Sequence, residues 1–126
     1  MITVDYIHRF ITSMGFTITI ETLILYFCLR YALKNQESIK KIVLTGFFAS
    51  FATIPYVWFV FPYLLKWSRD TSLMFSEPFV FIVEAIFYRT FLKTGWGSSF
   101  LLSLVCNLAS YILGPILRSN GLWIYW

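Results

Sequence analysis

FITSMGFTITIETLILYFCLRYAL, residues Phe10–Leu33, decides the fold: only Glu21 and Arg30 carry charge in it. Roughly 20 predominantly apolar residues in helix cross the hydrocarbon core of a bilayer. Three further stretches meet that requirement: Ile42–Leu65, Leu73–Leu92 and Ser99–Leu117. Backbone N–H and C=O groups find no water in lipid, so a spanning segment must be helical or belong to a closed barrel. Barrel strands alternate in polarity and run ~10 residues, whereas these runs are longer and uniformly apolar. The pattern predicts an all-α integral membrane protein with four transmembrane helices in one domain, residues 1–126.

Composition agrees. Of 126 residues, 59% are apolar, 21% aromatic and 13% charged, and mean hydropathy is +0.73. A soluble domain carries roughly 25% charged residues, and one this small has too much surface per volume to hide so much apolar area. Water-soluble, disordered and disulfide-stapled folds are excluded. The connections, residues 34–41, 66–72 and 93–98, are short and polar, which favours an antiparallel up-down bundle. Met1–Arg9 contains Asp5 and precedes too long an apolar run for a cleaved signal peptide, so the first helix is expected to be retained.

Arg30, Lys34, Lys40, Lys41, Arg89 and Lys93 fall on one side of this topology, and Arg9, Lys66, Arg69 and Arg118 on the other. The positive-inside rule puts the first set in the cytoplasm and both termini outside a plasma membrane. Tyr63, Trp67, Trp123, Tyr125 and Trp126 form the expected aromatic belt at the outer interface. The net charge of +4 suits loops near anionic headgroups. No basic stripe for nucleic acid is present.

The two halves, residues 10–65 and 73–118, share a layout. A helix with a central glutamate is followed by a basic loop and a helix with a small polar cluster. The first half carries Glu21 and then Ser50-Phe-Ala-Thr53-Ile-Pro55; the second carries Glu84 and then Asn107-Leu-Ala-Ser110. Two helices per half would make this a parallel internal repeat about an axis along the membrane normal.

Glu21 and Glu84 are costly at membrane depth, at least ~2.5–3.5 kcal/mol each on insertion scales. Each must face protein or water, find a partner or hold its proton, and at least one is expected to be neutral without a cation. Ser13, Thr17 and Glu21 share a helix face, with Cys28 near it, and Glu77, Glu84 and Tyr88 share another. Ser99, Ser103, Asn107, Ser110 and Gly114 form a stripe on the fourth helix, and Gly46, Ser50 and Thr53 a shorter one on the second. Such stripes let helices approach closely and hydrogen-bond; they can equally line a polar cavity around the glutamates. The plain alternative for the carboxyls is a hydrogen-bonded lock with Asn107, Ser50, Thr53 or a tyrosine. No Asp, Lys or His lies at mid-depth to complete a proton relay. Pro55 and Pro115 are expected to kink their helices. Ser76-Glu77-Pro78 reads as a helix start, with serine as cap and proline in the first turn.

Other chemistry is missing. Cys28 and Cys106 read as buried, inert thiols, and no metal-ligand spacing is present. His8, the single histidine, precedes the first apolar run and is expected to lie far in depth from both glutamates, so a serine triad has no base. No phosphate or dinucleotide motif occurs. No cofactor and no enzyme activity are expected.

Ser50-Phe-Ala-Thr53-Ile-Pro55-Tyr-Val-Trp58, Val83-Glu84-Ala-Ile-Phe-Tyr88-Arg89 and Asn107-Leu-Ala-Ser110-Tyr-Ile-Leu-Gly114 resemble small uncharacterised prokaryotic four-helix integral membrane proteins. These repeat a mid-helix Glu followed by Asn-x-x-Ser or Asn-x-x-Thr. Ser50 departs from that pattern, standing where the first half would carry Asn. The resemblance implies a prokaryotic source and the motif positions, and no activity. The chain does not resemble the small multidrug exporters, whose glutamate lies in the first helix alone.

Two functions follow as expectations. One is a transporter or channel-type protein with Glu21 and Glu84 as proton- or cation-responsive groups and Asn107, Ser50, Thr53, Ser110 and Tyr88 around them. A homodimer is then expected, because four helices enclose little space. The other is a non-catalytic membrane subunit or scaffold bound to a larger partner subunit. An intramembrane enzyme built on two carboxyls is a third alternative.

Overall fold

The computed structural model of the chain describes residues 2–119. α1 spans Val4–Phe27 and continues as a π-helical segment, Cys28–Ala32. α2 spans Ile39–Pro55 and continues as a π-helical segment, Tyr56–Leu64; α3 spans Arg69–Phe91 and α4 Trp96–Ser119. No strand occurs among the described residues. All four helices are long and apolar enough to cross a membrane. Trp123, Tyr125 and Trp126, expected in an aromatic belt, lie outside the described residues.

Hydroxyl caps set three helix starts. The side chains of Thr3, Ser38 and Ser68 accept from the amides of Tyr6, Lys41 and Thr71, each at 3.2 Å. The Ser68 cap corrects the expected start at Ser76-Glu77-Pro78. α3 begins at Arg69, with Asp70 in its first turn, where a negative charge suits the helix dipole. Ser76 donates instead to the Ser72 carbonyl one turn back, and Pro78 lies inside the helix.

Pro55 is the last residue of α2, where the helical register changes. It has no N–H, and its ring crowds the carbonyl four residues back. α2 stops there, and by its end the chain bonds five residues back, Leu65 N–H to the Val60 carbonyl at 2.9 Å. The segment after α1 closes the same way, Leu33 N–H to the Cys28 carbonyl at 3.0 Å. α4 stays helical through position 115.

Each loop then turns on a lysine in the left-handed region: Lys34 at φ 51°, Lys66 at 53° and Lys93 at 54°. The Asn35 and Trp67 amides reach back over the first two of these lysines to the Leu29 and Phe61 carbonyls, at 2.7 and 3.1 Å. These bonds satisfy carbonyls that a helix end would otherwise leave open.

The helices close a ring in which α1 packs on α2 and α4, and α3 packs on α2 and α4. The two ends of the ring differ. Toward residues 34–38 and 93–95 it is filled by Leu25, Leu29, Ile42, Ala49, Leu92 and Leu102. Asn35 ties that end together by donating to the Leu92 carbonyl at 3.1 Å. At the other end Tyr6 donates to the Trp58 carbonyl at 2.7 Å, and Phe10 meets Phe59 edge-on at 4.7 Å between centroids. The outer surface is apolar, with Leu23, Phe27, Phe48, Phe51, Leu64 and Leu101 exposed.

Gly46 marks the closest approach of α1 and α2. A Cβ there would lie 2.5 Å from Thr22 Oγ1 and 3.3 Å from Thr22 Cβ. Gly46→Ala is therefore expected to lower unfolding stability by about 1–3 kcal/mol, the usual cost of overpacking. Gly15→Ala, whose added Cβ meets nothing within 4 Å, is expected not to destabilise. Thermal unfolding of both variants in one detergent checks the contrast.

Candidate functional site

The ring brings Glu21 of α1 and Glu84 of α3 together at its centre. Both are 1% exposed, and the two carboxyls are neighbours. Among the described residues the one ion pair is Lys41–Glu37, so neither carboxyl is met by a cationic side chain.

Polar groups from α2 and α4 complete the surroundings. Ser50 Oγ donates to Glu21 Oε2 at 2.9 Å, and Ser110 Oγ is 3.1 Å from Glu21 Oε1. Asn107 Nδ2 donates to Glu84 Oε2 at 2.8 Å and to the Ser103 carbonyl at 2.8 Å, which uses both amide hydrogens. Thr53 reaches Glu84, while its hydroxyl lies 3.1 Å from the Ala49 and Ser50 carbonyls. Helical spacing explains the convergence: Ser50 and Thr53 are one turn apart on α2, and Asn107 and Ser110 one turn apart on α4.

Tyr88 also comes to this centre but closes its floor. It is 0% exposed, its hydroxyl has no nitrogen or oxygen partner, and the Cys106 thiol sits beside it. Cys106, expected as an inert thiol, donates to the Glu21 backbone carbonyl at 3.5 Å. The sequence offers only one hint of this, that Cys106 directly precedes Asn107.

A cavity of about 720 Å³ opens from the carboxyl pair toward the Tyr6–Trp58 end of the ring. Its walls come from Ser13, Thr17 and Glu21 of α1, the segment around Pro55, the stretch 73–84 of α3 and the stretch 104–111 of α4. Ser13, Thr17, Asn107 and Ser110 line it, as does Glu77. Tyr88, Leu25, Leu29 and their neighbours fill the opposite side of the pair, so the cavity ends at the glutamates.

All seven expected site residues thus meet, but the stripes divide. On α4, Asn107 and Ser110 reach the carboxyls, whereas Ser103 donates to the Phe81 carbonyl at 2.9 Å and Ser99 bonds Thr94. Those two serve helix packing. Cys28 packs against the filled end and not at the pair. The lining residue Trp58 lies in the π-helical segment after α2, which periodicity does not reveal, whereas Glu77 lies on the face that helical spacing shares with Glu84.

Among the described residues no three His, Cys, Asp or Glu side chains are grouped to hold a metal. The arrangement can hold a proton between two carboxyls or pair with a cation brought to them. Comparison with protein-family models, with curated proteins and with solved structures finds no match.

Removing the donor on Glu84 is expected to weaken the fold through that carboxyl. Intramembrane hydrogen bonds couple by about 0.6–1.7 kcal/mol. Asn107→Leu should destabilise the wild type and do so by about 1 kcal/mol less in a Glu84→Met background. A double-mutant cycle from unfolding curves measures that coupling.

Proposed function

We propose that this chain is a small multi-pass membrane protein of transport type, with the Glu21–Glu84 pair as its proton- or cation-responsive group. The observation that carries this reading is the position of the pair at the blind end of a cavity, 1% exposed and with no basic partner among the described residues. Four helices of spanning length and an apolar outer surface support the membrane setting. Neighbouring like charges with no cation beside them cannot both ionise, so the pair holds a proton. Entry of a cation makes releasing that proton favourable, which couples occupancy to protonation. The filled end argues against an open channel and for access from one side at a time.

The remaining topology belongs to the same proposal. The start of α1 lies beside the segment after α2, with Tyr6 against Trp58 and Tyr63, and residue 35 beside the end of α3, which supports an antiparallel up-down order. The bonds Ser50–Glu21 and Asn107–Glu84 occupy corresponding places in the two halves, which supports the parallel repeat. With the basic loops 34–41 and 93–98 in the cytoplasm, both termini and the cavity mouth face outward from the plasma membrane. A homodimer provides the further surface a pathway needs.

A second reading, a non-catalytic membrane subunit, is favoured by the outward aromatic face of α2. There Phe47 and Phe51 stack at 5.7 Å and both are exposed, a surface suited to a partner helix.

Flux separates the two. In vesicles carrying a pH-sensitive dye, an imposed Na⁺, K⁺ or organic-ammonium gradient should drive proton movement through the wild type. Glu21→Gln and Glu84→Gln should each reduce it at least tenfold while keeping helical circular dichroism. Unchanged flux in both variants, together with loss of a co-purifying membrane protein, would establish the subunit reading instead.

A further inference from the structure

Hydroxyls inside apolar helices usually donate to the carbonyl four residues back. Here Thr12 and Thr19 do so on α1, each at 2.8 Å, and Thr45 does so on α2 at 2.7 Å. Ser13 and Thr17 are exceptions. Both line the cavity one turn apart, on the face that leads down to Glu21. Ser13 is only 6% exposed, and none of the described hydrogen bonds involves it. Thr17 is half-buried on the same wall, and a nearly buried hydroxyl such as that of Ser13, which faces a cavity and meets no protein partner, points to an occupant.

The rest of the wall states what the occupant must be. Trp58, Phe81, Leu104, Leu108 and Tyr111 supply aromatic and aliphatic surface. The ionisable wall groups are acidic, Glu77 together with the pair at the base, and no lysine or arginine is among the lining residues. The volume of about 720 Å³ falls in the range of small organic ligand sites, roughly 300–1,000 Å³. A bare metal ion would want a cage of six or more oxygens, which apolar walls do not provide. From this geometry we infer that the cavity is a binding site for a lipophilic organic cation, an ammonium or phosphonium centre carrying alkyl or aromatic groups. The charge sits at Glu21 and Glu84, the apolar body lies along Trp58 and Phe81, and the aromatic faces attract the cation further. The inference rests on the proposed cation-responsive pair and names its substrate class.

Proton and cation then compete for the same carboxyls. The titratable groups facing that position are Glu21 from α1, Glu77, Glu84 and Tyr88 from α3, and Cys106 and Tyr111 from α4; α2 contributes only the neutral Ser50 and Thr53. By mass action the cation is held less tightly as pH falls, up to about tenfold per pH unit for one competing proton.

Calorimetry on the full chain in lipid nanodiscs tests this, with tetraphenylphosphonium as the probe and neutral triphenylphosphine oxide as its uncharged counterpart. The cation should bind saturably, at least tenfold tighter than the neutral molecule, and weaken as pH is lowered. Trp58→Ala should weaken it about tenfold and Ser13→Ala about threefold, with the Glu21→Gln/Glu84→Gln double variant abolishing the pH dependence. Equal binding of the neutral molecule, or binding independent of pH, would overturn the inference and leave a general apolar groove. Proton release on adding Na⁺ or K⁺ but not the organic cation would overturn it while leaving the cation-responsive pair intact. If no cation releases protons, both the inference and the proposed function fall.

Discussion

Two carboxyl side chains meet at the centre of a helical ring with no cationic side chain among the described residues to neutralise them. That constraint organises the site around it. Burying a charged carboxylate without a partner is costly, so the ring supplies Ser50 and Ser110 to Glu21 and Asn107 to Glu84. The helix bearing each donor must approach closely, and Gly46 and the small residues of α4 permit it. The backbone joins in, with Cys106 bonding the Glu21 carbonyl.

The pair also divides the molecule. On one side, large aliphatic side chains and Tyr88 fill the space between helices; on the other, hydroxyls and aromatic rings border an open cavity. Pro55 sits close to that division. The π-helical segment that follows it carries Val57 and Trp58 on the cavity wall. π-helical turns are frequent at functional sites, since they re-aim side chains that a regular helix would point elsewhere. On the proposed function, this asymmetry distinguishes a coupled carrier from a pore.

Much of this was legible in the sequence because apolar length and helical spacing are local signals. Four spanning-length helices followed from the apolar runs. The matched glutamates pointed to positions needing partners, and the spacing of Ser50 with Thr53 and of Asn107 with Ser110 put their candidates on common faces. The start of α3 was not legible, because Ser76-Glu77-Pro78 carries the same cap chemistry as Ser68 and only the competing Ser68 cap decides between them. The π-helical segments were not legible either. A proline announces a broken ladder but not the register that replaces it. Nor does a one-dimensional pattern tell which half of a small-residue stripe packs and which half faces a cavity. Ser99 and Ser103 differ from Asn107 and Ser110 only in what the neighbouring helices place opposite them.

Infrared spectroscopy of the carboxyl C=O stretch tests the central claim most directly, because protonated and ionised carboxyls absorb in separate regions. At neutral pH the protein in lipid should show a protonated-carboxyl band that disappears in the Glu21→Gln/Glu84→Gln double variant and diminishes when a cation is added. A wild-type spectrum with no such band, or with a band that the double variant retains, would contradict a shared proton at the glutamate pair.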